Sequence, residues 1–211
     1  MLIMSTIIDI SPLLSARIAV FPGDTTFART QLMHVDEGQH ISLSSLTTTV
    51  HVGSHADAPI HYGKGGRTIE SQPLDLYVGP CIVVRVEGAR DRAITAQDLA
   101  GRVPFGTERL IIVTGTFPNP EHWNPDFASL DPALIPWLHM RGVRLVAIDT
   151  PSVDRSDSKD LPTHAQFFAH DISIIEGVVL NGVAEGHYEL IALPLRIEGA
   201  DASPVRAILR K

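Results

Sequence analysis

The stretch Cys81-Ile-Val-Val-Arg-Val-Glu87 is the clearest fold-determining segment, because a β-branched run stands between Gly79-Pro80 and Gly88. Short apolar runs bounded by turn residues are typical of strands buried on one or both faces of a sheet. Its first residue is the single cysteine of the chain, which we interpret as a small buried hydrophobe rather than a reactive thiol. One cysteine excludes an intrachain disulfide.

Further strands and a few short helices are predicted on both sides of this run. The other predicted strands are Leu43–Val52, Arg109–Thr114, Val143–Ile148, Val178–Leu180, Glu189–Leu193 and Val205–Leu209. The predicted helices are Thr95–Ala100, with a capping box of Thr95 and Asp98, then Asp131–Arg141, with Asp131 and Pro132 as N-cap and first residue, and Thr163–His170, with Thr163 as N-cap. Gly101 and Gly142 would end the first two helices. The pattern predicts an α/β fold, a single domain over residues 1–211 with a central mixed β-sheet flanked by short helices.

Composition excludes several classes of function. Of the 211 residues, 44% are hydrophobic and 19% charged, and the formal net charge is -7. An acidic chain with scattered Lys and Arg does not favour nucleic acid or an anionic membrane surface as partner. No stretch approaches the roughly 18 apolar residues that span a membrane, and Met1–Ser5 does not begin a signal peptide. A cytoplasmic protein is therefore expected.

Three imidazoles and a carboxylate fall within the segment His51-Val-Gly-Ser-His55-Ala-Asp57-Ala-Pro-Ile-His61. Imidazole nitrogen and carboxylate oxygen are ligands of catalytic zinc and similar ions. A loop with solvated or core-satisfied histidines is the alternative for any one of them, but the set favours a metal site. Structural zinc sites usually contain cysteine, and none is near, so an open, catalytic site is indicated.

Geometry requires this segment to bend. Alternate residues of a strand share a face, but four residues of strand span about 13 Å, too far for ligands of one ion. Gly53 permits a bend, and a turn of helix from there would bring His51 and His55 together. Pro59 would fix the backbone on exit, which predicts a site on a bent loop at a strand end.

The segment resembles the HxGTHxDxPxH motif of the metal-dependent cyclase superfamily, with Ser54 where Thr is usual. Further segments are similar to one branch, the bacterial kynurenine formamidases. They are Asp9–Pro12, Phe21–Asp24, Asp149–Asp154, His164, Glu176–Leu180, Tyr188–Leu195 and Gly199–Val205. The resemblance runs nearly end to end and implies a swivelling β/β/α-like fold, a homodimer, and hydrolysis of N-formyl-L-kynurenine to L-kynurenine and formate.

The resemblance also implies the roles of individual residues. It implies two divalent ions, with zinc expected. His51, His55 and Asp57 would hold the first ion, and Asp57 would bridge to a second ion held also by His164 and Glu176. It further implies that His61 acts in proton transfer and that Phe21 forms part of the wall for the substrate ring.

The residues alone leave several of these points open. His164 reads as a surface histidine, whereas Glu176 stands out because it interrupts an apolar run and is costly to bury unpaired. Asp149 and Asp154 could orient the metal ligands or serve in turns. Phe21 could be core, and the roles of Trp123 and Trp137 are undecided.

Three rival functions remain at this stage. Another hydrolase of the superfamily, such as an isatin hydrolase, is the nearest. A non-catalytic metal-binding protein on the same fold would have no use for a proton carrier such as His61. A nucleotide-binding enzyme is disfavoured because the chain has no glycine-rich phosphate loop. The ligand types would also accept manganese or other divalent ions.

Overall fold

The structure, a computed structural model, describes residues 6–211. Met1–Ser5, over which the sequence predicts no signal peptide, lie outside the described residues. Within residues 6–211, no helix combines the length and the apolar character needed to cross a bilayer.

Within the described residues, thirteen strands form one large sheet and two small ones. The strands are β1 Ile7–Asp9, β2 Ala28–Met33, β3 Leu43–Thr47, β4 His55–Asp57, β5 Val78–Arg85, β6 Ala93–Ile94, β7 Arg109–Val113, β8 Ser129–Leu130, β9 Leu145–Ile148, β10 Ser173–Glu176, β11 Gly186–Ile191, β12 Ala202–Pro204 and β13 Ile208–Arg210. Nine of them form the large sheet in the order β1-β13-β11-β5-β7-β9-β10-β4-β12. Strands β2 and β3 pair as an exposed antiparallel hairpin, and β6 pairs with β8.

The centre of the large sheet is parallel and its two ends are antiparallel. Strands β5, β7, β9 and β10 run parallel to one another, whereas β11 and β4 pair antiparallel on either side. The predicted mixed α/β sheet is therefore confirmed, with the run at Cys81 forming most of β5.

The parallel strands are buried on both faces. In β7, Ile111 and Val113 pack in one apolar cluster, and Leu110 and Ile112 in the other. The second cluster is covered by the helices, through Leu134 and Phe167 among others. Two-sided burial explains why these strands read as continuous apolar runs rather than as alternating patterns.

The large sheet curls around the first cluster. Strands β12 and β13 lie near opposite ends of the strand order, yet only Val205–Ala207 separates them along the chain. Three residues can span such a distance only if the two ends of the sheet come close together. Cys81 is buried in this cluster, as predicted, and burial raises the pKa of its thiol to about 12.

The helices are α1 Ala96–Leu99, α2 Leu134–His139 and α3 Pro162–His170, and short 3-10 helices cover Val35–Glu37, Pro59–His61, Ile69–Ser71 and Leu74–Leu76. The capping box of α1 is confirmed, since the Thr95 backbone N–H donates to Asp98 Oδ2 at 2.8 Å. The prediction for α2 was too long at both ends, because Asp131 accepts from the Ala133 N–H in a turn that precedes the helix. The predicted N-cap of α3, Thr163, is wrong, since the helix begins one residue earlier and Thr163 is buried within its first turn.

The observed strands differ in their ends from every predicted one, and in three cases half or more of the predicted run is not strand. The run Leu43–Val52 forms a strand only as far as Thr47. The prediction for Val178–Leu180 is wrong, because Gly177, with φ +67°, ends β10 and turns the chain so that the Val179 N–H donates to the Ile10 carbonyl. In the run Val205–Leu209, the first three residues connect β12 to β13 and only Ile208 and Leu209 belong to a strand, β13.

Candidate metal centre

The bend between His51 and His55 is made by Gly53, as predicted. Its φ is +60°, and a side chain at this position would meet Leu14 Cδ2 at 2.8 Å, so only glycine fits without strain. The predicted helical turn is wrong, because the chain passes from an irregular turn directly into β4. His55 and Asp57 are alternate residues of that strand and therefore share a face, and the bend carries His51 to the same place.

The register of β4 and β10 brings Glu176 into the site. Glu176 is the direct cross-strand partner of His55, and its Oε2 lies 3.3 Å from His55 Nε2. Both side chains are buried. A carboxylate that interrupts an apolar run is thus explained by strand pairing with a residue far away in sequence.

His164 reaches the site from the first turn of α3. Its Nε2 lies 3.6 Å from both Asp57 Oδ2 and Glu176 Oε1. The Asp154 carboxylate accepts the backbone N–H groups of Thr163 and His164 at 3.0 Å each, and so caps the helix from outside it. This distant cap explains why the prediction of a local N-cap failed, and why the reading of His164 as a surface residue was wrong.

Asp57 lies at the centre of the cluster. His51 Nδ1 and His55 Nε2 lie 3.1 Å and 3.5 Å from its Oδ1. Although both carboxylate oxygens are buried, neither receives a well-directed hydrogen bond from the described residues. Four ligands at about 2.1 Å from one zinc ion are themselves about 3.4 Å apart. The spacing and the unsatisfied oxygens fit a set of metal ligands better than a hydrogen-bonded core.

Each of the three imidazoles is held through its other ring nitrogen. His55 Nδ1 lies 3.0 Å from the Gly53 carbonyl oxygen, His164 Nδ1 lies 2.7 Å from Asp154 Oδ2, and His51 Nε2 lies 2.9 Å from Asp201 Oδ2. An acceptor on one nitrogen fixes the tautomer and directs the lone pair of the other nitrogen towards the cluster. His51 thus presents Nδ1, whereas His55 and His164 present Nε2.

The charged forms of the imidazoles and carboxylates in the cluster shift one another's pKa values. Burial alone would raise the pKa of the Asp57 carboxyl, but His164, His51 and His55 outweigh it and hold that pKa well below its ordinary value. Burial lowers the pKa of the His51 imidazole, but Asp57 and Asp201 outweigh it and raise that pKa to about 9. The carboxylates therefore favour the protonated imidazole of His51, and a metal ion that binds its Nδ1 would displace that proton.

His61 lies beside these residues and is more exposed than they are. Its ring centroid is 4.2 Å from that of His51, and its Nδ1 lies 3.5 Å from Asp201 Oδ2. Burial lowers the pKa of its imidazole. Ligand atoms of Asp57, His61 and His164 lie within 4.8 Å of one another. Geometry alone therefore admits His61 as a ligand as well as a proton carrier.

The cluster opens into a cavity of about 490 Å³, whose lining includes His51, His55, His61, His164 and Glu176. Part of its wall is aromatic, since Phe21 packs edge-on against Trp123 with ring centroids 5.1 Å apart, and Phe117, which also lines the cavity, packs edge-on against Trp123. Cavities of this size, with an apolar wall and a few polar groups, are typical of small-molecule sites.

Comparison with known proteins agrees with this geometry. The profile of a family described as "Putative cyclase" matches residues 8–155. The chain belongs to the cyclase family. It is 43% identical over 209 residues to the kynurenine formamidase of Maricaulis maris (strain MCS10), which covers 99% of each chain.

Solved structures of cyclase-family proteins share the fold. A "predicted metal-dependent hydrolase" from Bacillus stearothermophilus superposes with a TM-score of 0.83 at 29% identity over 98% of both chains. Isatin hydrolase A from Labrenzia aggregata, at 22% identity, gives a TM-score of 0.81 over 98% of this chain and 93% of the other. The second similarity concerns the fold alone.

Asp201 is the residue of this cyclase-family site that the sequence analysis did not single out. It directly precedes β12, where the Ala58 N–H donates to its carbonyl at 2.9 Å, and its carboxylate is shared by His51 and His61. The sequence feature that could have indicated Asp201 is its position within Gly199–Val205, a segment similar to the bacterial kynurenine formamidases.

Two other undecided residues lie away from the cluster. Asp149 lines the cavity, but its carboxylate accepts the Thr114 and Gly115 N–H groups and the Thr114 hydroxyl. Asp149 therefore stabilises a turn and does not orient a predicted metal ligand. Trp137 packs under the Arg141 guanidinium on α2, 3.5 Å from the ring centroid. It is not among the residues that line the cavity.

Proposed function

We propose that this protein is a metal-dependent amidohydrolase that cleaves N-formyl-L-kynurenine to L-kynurenine and formate. The observation that carries the proposal is the buried cluster of three imidazoles and two carboxylates at the base of an aromatic-walled cavity. The end-to-end relationship with a kynurenine formamidase supplies the substrate. An N-formyl arylamine offers a small amide for the cluster and an aromatic ring for the wall.

The ligand sets follow from the contacts around Asp57. His51, His55 and Asp57 would hold one divalent ion, and Asp57, His164 and Glu176 a second, with zinc the expected metal. The unsatisfied oxygens of Asp57 and the orienting acceptors of each imidazole support this assignment. Bound ions would supply Lewis-acid polarisation of the formyl group and lower the pKa of a water molecule.

His61 is proposed as the proton carrier. Its imidazole borders the cavity and is not fixed by a short hydrogen bond, so it can take a proton from the attacking water and deliver it to the leaving aryl amine. No side-chain nucleophile is required, and Cys81 is buried in the core. Phe21 and Trp123 would hold the substrate ring.

A turnover assay on defined metal forms tests the proposal. Purified protein is stripped with a chelator, reloaded with zinc, and assayed for release of L-kynurenine and formate. Activity should fall to background on stripping and return on reloading, with two ions bound per chain by elemental analysis. Full activity after complete metal removal would overturn the metal-dependent mechanism.

Isatin is the comparison substrate in the same assay. Hydrolysis of isatin without hydrolysis of N-formyl-L-kynurenine would favour the isatin hydrolase alternative, and hydrolysis of neither would favour a non-catalytic metal-binding protein. A homodimer and a cytoplasmic location are further parts of the proposal, testable by light scattering and by fractionation.

A further inference from the structure

Most charged groups around the cavity are already engaged. Asp149 is saturated by Thr114 and Gly115, and Glu176 accepts the Val153 N–H at 2.7 Å while facing the imidazoles. Among the described residues that line the cavity, Lys159 is the one lysine or arginine. It forms none of the ion pairs found within residues 6–211. Among contacts between described residues, the Asp24 carboxylate accepts only the adjacent Thr25 N–H.

Local turns fix both residues at the cavity. Phe21-Pro-Gly-Asp24 forms a β-turn in which the Asp24 N–H donates to the Phe21 carbonyl at 2.9 Å, with Gly23 at φ +95°. Pro followed by Gly at the two central positions is typical of a type II turn. One turn therefore gives the wall both an aromatic ring and a carboxylate.

Lys159 is held by a second turn on another segment of the lining. The Ser158 N–H donates to the Arg155 carbonyl at 3.0 Å, and the Ser158 hydroxyl accepts the Leu161 N–H at 3.2 Å. Ser158 and Leu161 also line the cavity. The ammonium group of Lys159 is thus carried by a structured loop.

The residues that line the cavity differ in solvent exposure, from the metal-ligand candidates to the charged residues Asp24 and Lys159. His55, Asp57, His164 and Glu176 are buried and His51 is partly exposed, whereas Phe21 is 42% exposed and Asp24 and Lys159 are exposed. N-formyl-L-kynurenine has the same order of chemistry: a formamide, an aromatic ring, and a distal α-amino acid group that carries both charges. Asp24 and Lys159 are exposed charged residues that line the same cavity as the cluster, as binding of such a zwitterion would require.

We propose that Asp24 and Lys159 form a zwitterion subsite at the mouth of the cavity, in which Asp24 binds the α-ammonium group of the substrate and Lys159 its α-carboxylate. The inference rests on the proposed function and adds a basis for selectivity. Charge-assisted hydrogen bonds to a substrate group that does not react change binding more than chemistry.

Matched substrates isolate this contact. N-formyl-L-kynurenine is compared with N-formyl-2-aminoacetophenone, which keeps the formamide, ring and ketone but lacks the amino acid group. Lys159→Met should raise KM for N-formyl-L-kynurenine about fivefold to tenfold, and Asp24→Asn about threefold, with kcat nearly constant. For N-formyl-2-aminoacetophenone, both variants should stay within about twofold of wild type.

Controls and a binding measurement complete the experiment. Lys64→Met and Asp36→Asn remove exposed charges that do not line the cavity, and should leave both substrates unaffected. Lys159→Arg should restore most of the loss, because it returns the positive charge. Affinity of the zinc-loaded protein for L-kynurenine, measured by calorimetry, should fall in Lys159→Met by the same factor as KM rises.

The outcomes separate the two proposals. If wild type cleaves N-formyl-L-kynurenine but the variants change neither KM nor L-kynurenine affinity, the subsite is overturned and the formamidase function stands. If wild type cleaves neither substrate, the formamidase function fails. The calorimetric comparison of wild type with Lys159→Met then decides the subsite alone, with equal affinities overturning it.

Discussion

The site has two parts that are built differently. The motif half, His51, His55 and Asp57, is one continuous stretch that bends once at Gly53 and enters β4. The remote half, His164 and Glu176, comes from the start of α3 and the end of β10. Pairing of β10 with β4 brings Glu176 to the motif half, and the Asp154 cap positions His164. One half is specified by local spacing, the other by the topology of the sheet.

This difference has a consequence for how each half is supported. In the motif half, His55 is oriented by a backbone carbonyl two residues away, whereas in the remote half His164 is oriented by the Asp154 carboxylate, which also caps α3. The motif half therefore depends on local backbone shape. The remote half depends on a side chain whose loss would disturb a helix as well as a ligand.

The largest effect should come from removing a ligand candidate in each half. His55→Ala should reduce turnover to background and leave about one ion per chain, because Asp57, His164 and Glu176 remain as the ligands of the second ion. His164→Ala should also abolish turnover but leave about one ion bound, since the motif half retains its three ligands. Elemental analysis and the kynurenine assay measure both quantities.

His139→Ala is the control for these variants, because it removes an exposed histidine outside the site. It should keep full metal content and turnover. Equal loss of both ions in His55→Ala and His164→Ala would show that the halves do not bind metal independently.

His61→Ala should give the next largest effect. General acid–base groups typically contribute about 10²- to 10⁴-fold, so kcat should fall by that range while two ions stay bound. Full activity would contradict the proton-transfer role. A parallel loss of zinc would instead identify His61 as a ligand, which its position near Asp57 and His164 permits.

Asp154→Ala should weaken the remote half selectively. Loss of an orienting partner typically costs about 10- to 100-fold in metal affinity, and this should appear for the second ion only. Loss of the helix cap should also lower the free energy of unfolding by about 1–3 kcal/mol. Chelator competition and chemical denaturation of the stripped protein measure the two effects.

Asp149→Ala is the matched control, since Asp149 is also buried and hydrogen-bonded but contacts no ligand candidate. It should lower stability without changing metal affinity. Equal metal affinities for Asp154→Ala and wild type would show that His164 is oriented by other contacts.

Asp201→Ala should give the smallest effect and act on the motif half. Because its side chain is half exposed, loss of its contact with His51 should weaken binding of the first ion by at most about tenfold. Asp201→Asn keeps an acceptor oxygen for His51 Nε2 and should stay within about twofold of wild type. An Asn variant as weak as the Ala variant would mean that the charge of Asp201, rather than its hydrogen bond, matters.

The sequence predicted a central mixed sheet and the bend at Gly53, because both depend on local signals: buried apolar runs and a glycine between ligand types. It did not predict the approach of His164 from the residues alone, because the helix cap that fixes it, Asp154, is outside the helix. Nor did it single out Asp201, whose contacts arise from the pairing of β12 with β4. The prediction that His164 and Glu176 belong to the site came from the resemblance to a family and not from residue spacing.

The close approach of Gly177 to Gly53 bears on how the protein folds. A Cβ atom at position 177 would lie 2.3 Å from the Gly53 carbonyl oxygen. The backbone turns at Gly53 and Gly177 therefore pack directly against each other, with no side chain between them. Contacts between residues so far apart in sequence form slowly, because a long loop must close first. We therefore expect the newly made chain to acquire its motif bend early and its complete metal set late. An excess of zinc during refolding should then speed the last kinetic phase, at which β4 meets β10, and leave the earlier phases unchanged.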